Sequence, residues 1–210
     1  MDPQEYLQQL AGYIVQEITP ARGLKQLTRN SAHLGHYAEE AVRSLVRRTS
    51  HPLNVATGWI VHEGNHASCI PQLDTIFWSA CPAPPVFCAG NFAIVPRHTA
   101  FGYLEVKRSA YSGSGLAIQQ ALAHADELIP YRCNERPLAR GVVCLREHGQ
   151  RDKTLDDLVE EGLAFVLMDE SEAGEVTPNL KAVMDLVNFI ADVKNAALSV
   201  LGGIKVAIHP

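Results

Sequence analysis

The sequence lacks the features that define several common protein classes. It has five cysteines, an odd number without a CxxC pair: Cys69, Cys81, Cys88, Cys133 and Cys144. They therefore indicate neither a disulfide framework nor a zinc ribbon, and we expect reduced, intracellular thiols. No stretch approaches the roughly eighteen uninterrupted apolar residues that a membrane span needs, so no membrane partner is expected.

An excess of positive charge and a leader-like start are also missing. The net charge is −5, so the overall balance does not indicate a nucleic-acid partner. A local basic surface could still be formed by two groups of residues, Arg43, Arg47 and Arg48 on one segment and Arg97, Lys107 and Arg108 on another. The first ten residues, MDPQEYLQQL, have no basic or apolar leader segment. We therefore expect a cytoplasmic location.

What is present is the composition of a folded globular protein. The chain has 210 residues, of which 47% are hydrophobic and 20% are charged, and this is enough for one domain with a sizeable core. Apolar residues at helical spacing predict an N-terminal helical extension over residues 1–29, followed by one α/β domain over 30–210.

The periodicity of the main domain alternates between helix and strand. A helix is predicted from Asn30 or Ser31 to about Arg48, and the later helices over 116–129, 153–162 and 177–200. Strands are predicted over 54–63, 71–78, 92–95, 101–107, 139–147 and 163–170, the first two forming a hairpin. This order predicts a three-layer α/β/α fold with a central mixed sheet.

Three charged residues interrupt the apolar strands. Asp74 lies in PQLDTIFW, and Glu105 and Lys107 lie two residues apart in LEVKRS, so the latter two leave the same face of their strand. Buried charges are costly and usually have a partner or a task. Two acids on adjacent strands, with the Val106 carbonyl as a third ligand, suit Mg²⁺ or Mn²⁺. Lys107 can then orient an attacking water, which is the chemistry of phosphodiester hydrolysis.

The preceding helix carries two more acids, Glu39 and Glu40, either of which can complete the acidic cluster. Structural alternatives remain open for every member. Glu105 and Lys107 can form a surface ion pair at an edge strand, and Asp74 can be a hairpin charge. The two helical glutamates can be a solvated helix face.

This pattern resembles the PD-(D/E)XK, or restriction-endonuclease-like, nuclease superfamily. The EVK of residues 105–107 matches the (D/E)XK element and Asp74 matches the leading aspartate, although Leu73 replaces the usual proline. Within the superfamily it is most similar to a little-characterised bacterial nuclease-like family, through residues 35–43, 58–61, 72–74 and 103–107.

The resemblance implies an α-β-β-β-α-β nuclease core with a divalent metal ion. The family's helical glutamate maps onto Glu39 or Glu40, and the four-residue spacing to Arg43 favours Glu39. Gln119 or Gln120 can match a glutamine that some members place near the metal. The expected function is a metal-dependent nuclease that cleaves DNA in preference to RNA, with a role in restriction or mobile-element defence.

Two other functions fit the same sequence. One is a catalytically inactive nuclease-fold module that binds nucleic acid or protein, and the other is a structural partner that dimerises through its terminal helices. A homodimer is also compatible with a nuclease, since a duplex needs two cuts. The histidine pairs His62/His66 and His33/His36 and the SGSG segment of residues 112–115 are interpreted as structural or solvated.

Overall fold

The computed structural model describes most of the chain after residue 29. The described residues are 5, 8–10, 12–13, 16, 30–61, 72–111, 113–128, 137–146, 152–171 and 175–202. Most of the predicted extension over 1–29 lies outside them, as do His62 and His66. Of its described residues, Leu10 is buried in the main core and Tyr13 lies under Arg48, with the guanidinium carbon 3.9 Å from the ring centroid.

From residue 30 onward, the described chain contains four α-helices, one short 3₁₀ helix (Arg97–Thr99) and nine strands. The helices are α1 (Ser31–Ser50), α2 (Ser114–Leu128), α3 (Lys153–Glu160) and α4 (Leu180–Gly202). The strands are β1 (Asn54–Val61), β2 (Leu73–Trp78), β3 (Phe87–Ala89), β4 (Phe92–Pro96), β5 (Ala100–Lys107), β6 (Ala139–Cys144), β7 (Ala164–Val166), β8 (Met168–Glu170) and β9 (Val176–Pro178).

Seven strands form one mixed sheet in the order β3-β4-β1-β2-β5-β6-β7. The predicted hairpin is confirmed, because β1 and β2 pair antiparallel, and β2 also pairs antiparallel with β5. The pairs β1/β4, β5/β6 and β6/β7 are parallel. The two strands that carry the predicted site, β2 and β5, are therefore central neighbours.

Helices cover both faces of this sheet, so the predicted three-layer α/β/α architecture is confirmed. On one face, α1 and α4 contribute Val42, Val46, Leu186 and Ile190 to the larger apolar core. On the other face, α2 and α3 bury residues such as Leu122 and Leu155. None of the helices in the described part of the chain is long and apolar enough to cross a membrane.

The structure corrects the end of the chain in two places. The predicted strand over 163–170 is two strands, because β7 extends the large sheet while β8 pairs with β9 in a separate two-stranded sheet. Residues 176–178 belong to β9, so α4 begins only at Leu180. The Asn179 side chain caps it by accepting a hydrogen bond from the Ala182 N–H at 3.0 Å.

Two smaller predictions also differ. The cap of α3 is Asp152 rather than Thr154, because the Asp152 carboxylate accepts the Leu155 N–H at 2.8 Å. The edge strand β3 was not predicted, since its residues are exposed on all sides and follow a proline-rich run. At α1, the choice between two caps is resolved in favour of Asn30, whose side chain accepts the Ala32 N–H.

Candidate active site

Asp74 and Glu105 face each other across the pair β2/β5. Thr75 is registered with Leu104, and continuing this antiparallel register by one residue places Asp74 directly opposite Glu105. The Val106 N–H donates a hydrogen bond to Asp74 Oδ2 at 2.8 Å, so the Asp74 carboxylate is held against β5. The two predicted acids therefore meet in one place.

Burial makes ionisation of this acid pair unfavourable. Burial first and then the charge of Asp74 raise the pKa of Glu105 from 4.5 to about 7, against the lowering effect of Lys107. The pKa of Asp74 is also raised, chiefly by burial and then by the charge of Glu39, against the lowering effect of the Val106 hydrogen bond. The doubly ionised form of the pair is therefore disfavoured unless a cation compensates its charge.

Lys107 extends from the same face of β5 as Glu105. Its Nζ lies 3.5 Å from Glu105 Oε2, and its side chain is 41% exposed, whereas that of Glu105 is 14% exposed. The ammonium group therefore lies at the mouth of the acid pair, in contact with both the buried carboxyl and solvent. This is the position from which a lysine can act on a water or a phosphate oxygen.

The two helical glutamates have different surroundings. Glu39 is the one within electrostatic reach of Asp74, and its Oε2 lies 3.3 Å from His36 Nδ1. Glu40 accepts hydrogen bonds from Arg43 and from Arg47 Nη1, the latter at 3.0 Å. Glu39 thus lies toward Asp74 and Glu105, whereas Glu40 forms ion pairs with Arg43 and Arg47.

The remaining predicted residues are placed less directly. Val106 contributes the N–H that holds Asp74, and a ligand role for its carbonyl stays a prediction. Gln119 and Gln120 are exposed on α2, and their match to a metal-site glutamine also stays a prediction. The SGSG segment, with Ser112 outside the described residues, forms the start of α2, where Gly113 and Gly115 donate to Asp152.

The donor set suits a hard divalent cation. Burial and mutual repulsion raise the pKa of both carboxyl groups, and a cation bound between them would favour both ionised forms. Within the described ranges, no three His, Cys, Asp or Glu side chains cluster closely enough to form a metal site by themselves. Mg²⁺ fits this limit, because it is commonly held by one or two carboxylates, waters and substrate phosphate.

Arg43 is the neighbour of the site whose contacts sequence reasoning did not predict. It is 5% exposed, and its guanidinium donates to the Asp74 main-chain oxygen through Nε at 3.2 Å and Nη2 at 2.9 Å. A main-chain acceptor leaves no side-chain signature in the sequence. The only available signal was an arginine on the apolar stripe of an amphipathic helix.

The central β2/β5 pair within a mixed sheet that is covered by helices on both faces defines a restriction-endonuclease-like fold. No protein-family model and no curated protein matches the sequence. The fold is similar to that of the nuclease NucC. P. aeruginosa ATCC27853 NucC in its cAAA-bound form has a TM-score of 0.64 at 18% identity, covering 96% of this chain and 99% of that one.

Two structures of E. coli MS115-1 NucC give the same result. The cAAA-bound form has a TM-score of 0.63 at 17% identity and covers 93% of this chain and 91% of that one. The apo form has a TM-score of 0.58 at 16% identity and covers 96% and 100%. The similarity spans nearly the whole length of each chain, so the predicted fold is confirmed.

Proposed function

We propose that this protein is a metal-dependent nuclease that hydrolyses phosphodiester bonds in DNA. The observation that carries the proposal is the meeting of Asp74 and Glu105 across the central strand pair with Lys107 beside them. Burying two acids together costs stability, and a partly exposed lysine and the nearby Arg43 compensate for only part of that cost. A catalytic cation is the partner that this arrangement lacks.

Each residue has a distinct role in this reaction. Asp74 and Glu105 would hold Mg²⁺ or Mn²⁺, together with the Val106 carbonyl, and Glu39 would add negative charge beside them. When bound, the ion lowers the pKa of a water and offsets charge on the phosphate. Lys107 donates a hydrogen bond to the attacking water or to a phosphate oxygen, and so orients the attack in line with the leaving group.

The preference for DNA and the assembly of the protein are part of the proposal. The similar proteins are NucC nucleases, and a homodimer would place two such sites so that both strands of a duplex can be cut. Arg43 and Arg47 are paired with Glu40, so α1 offers little free positive charge to a phosphate backbone there. Contacts with DNA would therefore come from the Lys107 side of the sheet.

The test is cleavage of supercoiled plasmid by purified protein with Mg²⁺, with Mn²⁺ and with EDTA. We expect cleavage with either metal and none with EDTA. Asp74→Asn and Glu105→Gln should each lower the rate by at least about a hundredfold, because each removes one of two carboxylate ligands. The matched control is Asp185→Asn, the same chemical change at an exposed residue of α4 that pairs only with Lys181 in the described structure.

Two features of the assay make its result decisive. Because two of the similar structures hold cAAA, each reaction is run with and without this nucleotide. Cleavage that is equal in wild type and in both site variants would indicate a contaminating nuclease and refute the proposal. Metal-dependent binding of DNA without cleavage under any condition would instead support the inactive nuclease-fold module.

A further inference from the structure

Arg43 connects helix α1 to the strand that carries Asp74. Its Nε and Nη2 both donate to the Asp74 carbonyl, at 3.2 and 2.9 Å, and its side chain is 5% exposed. Two donors of a planar guanidinium on one oxygen fix both the distance and the direction of that oxygen. The carbonyl and the carboxylate share one Cα, so the contact also limits where the carboxylate can lie.

The other side of the guanidinium is held by Glu40. Arg43 Nη1 donates to Glu40 Oε2, and the Glu40 carboxylate also receives Asn91 Nδ2 at 3.3 Å from each of its oxygens. Asn91 lies in the turn between β3 and β4 at the edge of the sheet. Glu40 therefore links Arg43 to this turn.

Thr57 of β1 also connects this turn to β2. The Thr57 N–H donates to the Asn91 carbonyl at 2.8 Å, and the Thr57 hydroxyl donates to the Leu73 carbonyl at 2.9 Å. Consecutive carbonyls of β2, those of Leu73 and Asp74, are thus held by side chains from β1 and α1. These contacts lie beside a register irregularity in the β1/β2 pair, between Ala56 and Gly58, where the ladder itself fixes the strand less well.

We propose that Arg43 is a positioning residue that sets the direction of the Asp74 carboxylate for metal binding, and that Glu40 and Asn91 hold Arg43 in place. The inference rests on the proposed function, since it assigns to Arg43 a role in metal binding although Arg43 does not itself contact the reacting groups. A metal ligand must be held within a few tenths of an ångström, and residues that orient a ligand typically contribute about 10- to 100-fold to metal affinity. In this view Glu40 acts through Arg43, while Glu39 faces the acid pair.

The test measures Mn²⁺ affinity by calorimetry and the Mn²⁺ dependence of DNA cleavage. Arg43→Lys keeps the charge but replaces the two-donor fork by a single ammonium, so we expect Mn²⁺ binding to weaken about tenfold or more. The cleavage rate should recover at high Mn²⁺, and the KM for DNA should stay unchanged. The matched control is Arg48→Lys on the same helix, where the exposed side chain lies over Tyr13, and its Mn²⁺ affinity should equal that of wild type.

A purely structural role for Arg43 predicts a different result. Loss of folded protein lowers the rate by the same factor at every Mn²⁺ concentration and does not shift the Mn²⁺ dependence. Glu40→Gln changes a half-buried side chain and Asn91→Ala an exposed one, and each should weaken Mn²⁺ binding by about threefold. In combination with Arg43→Lys they should add little, because residues that act through one contact are not additive.

The outcomes separate this inference from the proposed function. If wild type binds Mn²⁺ and cuts DNA but Arg43→Lys binds Mn²⁺ equally well, only the positioning role is refuted. If Arg43→Lys does not fold, unchanged Mn²⁺ affinity in both Glu40→Gln and Asn91→Ala refutes it. If wild type neither binds Mn²⁺ nor cuts DNA, the nuclease proposal fails and the positioning role fails with it.

Discussion

Replacing Glu105 by glutamine should change how the stability of the metal-free protein depends on pH. The pKa of Glu105 is raised from 4.5 to about 7, so between these values the folded protein keeps a proton that the unfolded chain has released. The free energy of unfolding therefore falls as the pH rises through this window. Each pH unit corresponds to about 1.4 kcal/mol, which gives a loss of roughly 3 kcal/mol in all.

The assay is urea or thermal denaturation in EDTA at several pH values from 4.5 to 7.5. A loss of about 3 kcal/mol corresponds to a fall of roughly 10 °C in Tm for a chain of this size. Glu105→Gln cannot ionise and should lose most of that slope, so the difference between the two proteins isolates the contribution of Glu105 from that of all other groups. Saturating Mg²⁺ should flatten the wild-type curve, because the ion favours the ionised acids.

The reasoning depends on burial of the acid pair, and one result would contradict it. If wild type and Glu105→Gln lose stability in parallel from pH 4.5 to 7.5, Glu105 titrates at its ordinary pKa. It would then be open to solvent or neutralised by Lys107, and the acid pair would hold no proton for a metal ion to replace.

Three further predictions concern single residues. Gly58→Ala should destabilise the fold by about 3 kcal/mol in urea titrations, because φ is +145° and an added Cβ would lie 1.8 Å from the Ala93 carbonyl oxygen. Gly90→Ala is the control: its φ is also positive, but an added Cβ would meet open space, so it should cost only about 1 kcal/mol. Thr75→Val should raise the free energy of unfolding by about 1 kcal/mol, because the buried hydroxyl has no hydrogen-bond partner among the described residues. Lys107→Met should lower kcat about a hundredfold yet keep Mn²⁺ affinity within threefold of wild type by calorimetry.

Sequence reasoning was effective where one local pattern determined the structure. Alternation in YLEVK placed Glu105 and Lys107 on one face, and the apolar hairpin around Asp74 placed that acid on the neighbouring strand. Once these two strands pair, their register decides whether Asp74 and Glu105 face each other. Burial of one face of each strand fixes that register strongly. These predictions needed no knowledge of distant contacts.

The features that sequence reasoning missed depend on contacts between distant segments. The run LAFVLMDE reads as one strand, but its second half leaves the large sheet to pair with β9, which begins at Val176. The choice between Glu39 and Glu40 is a partial example, because spacing to Arg43 favoured Glu39 without showing what engages Glu40. It is the turn at Asn91, far along the chain, that engages Glu40 and leaves Glu39 beside Asp74.

The balance of charge distinguishes the two acidic groups on this side of the sheet. Around Glu40, two arginines and an amide surround one carboxylate and compensate its charge within the protein. Around Asp74 and Glu105, with Glu39 nearby, three acids have the partly exposed Lys107 and the guanidinium of Arg43, which they share with Glu40. A fold gains no stability from confining uncompensated acids. The second group is therefore the one whose cost calls for a cation, and a divalent ion bound there, as proposed, would supply the missing positive charge and leave it available to a phosphate.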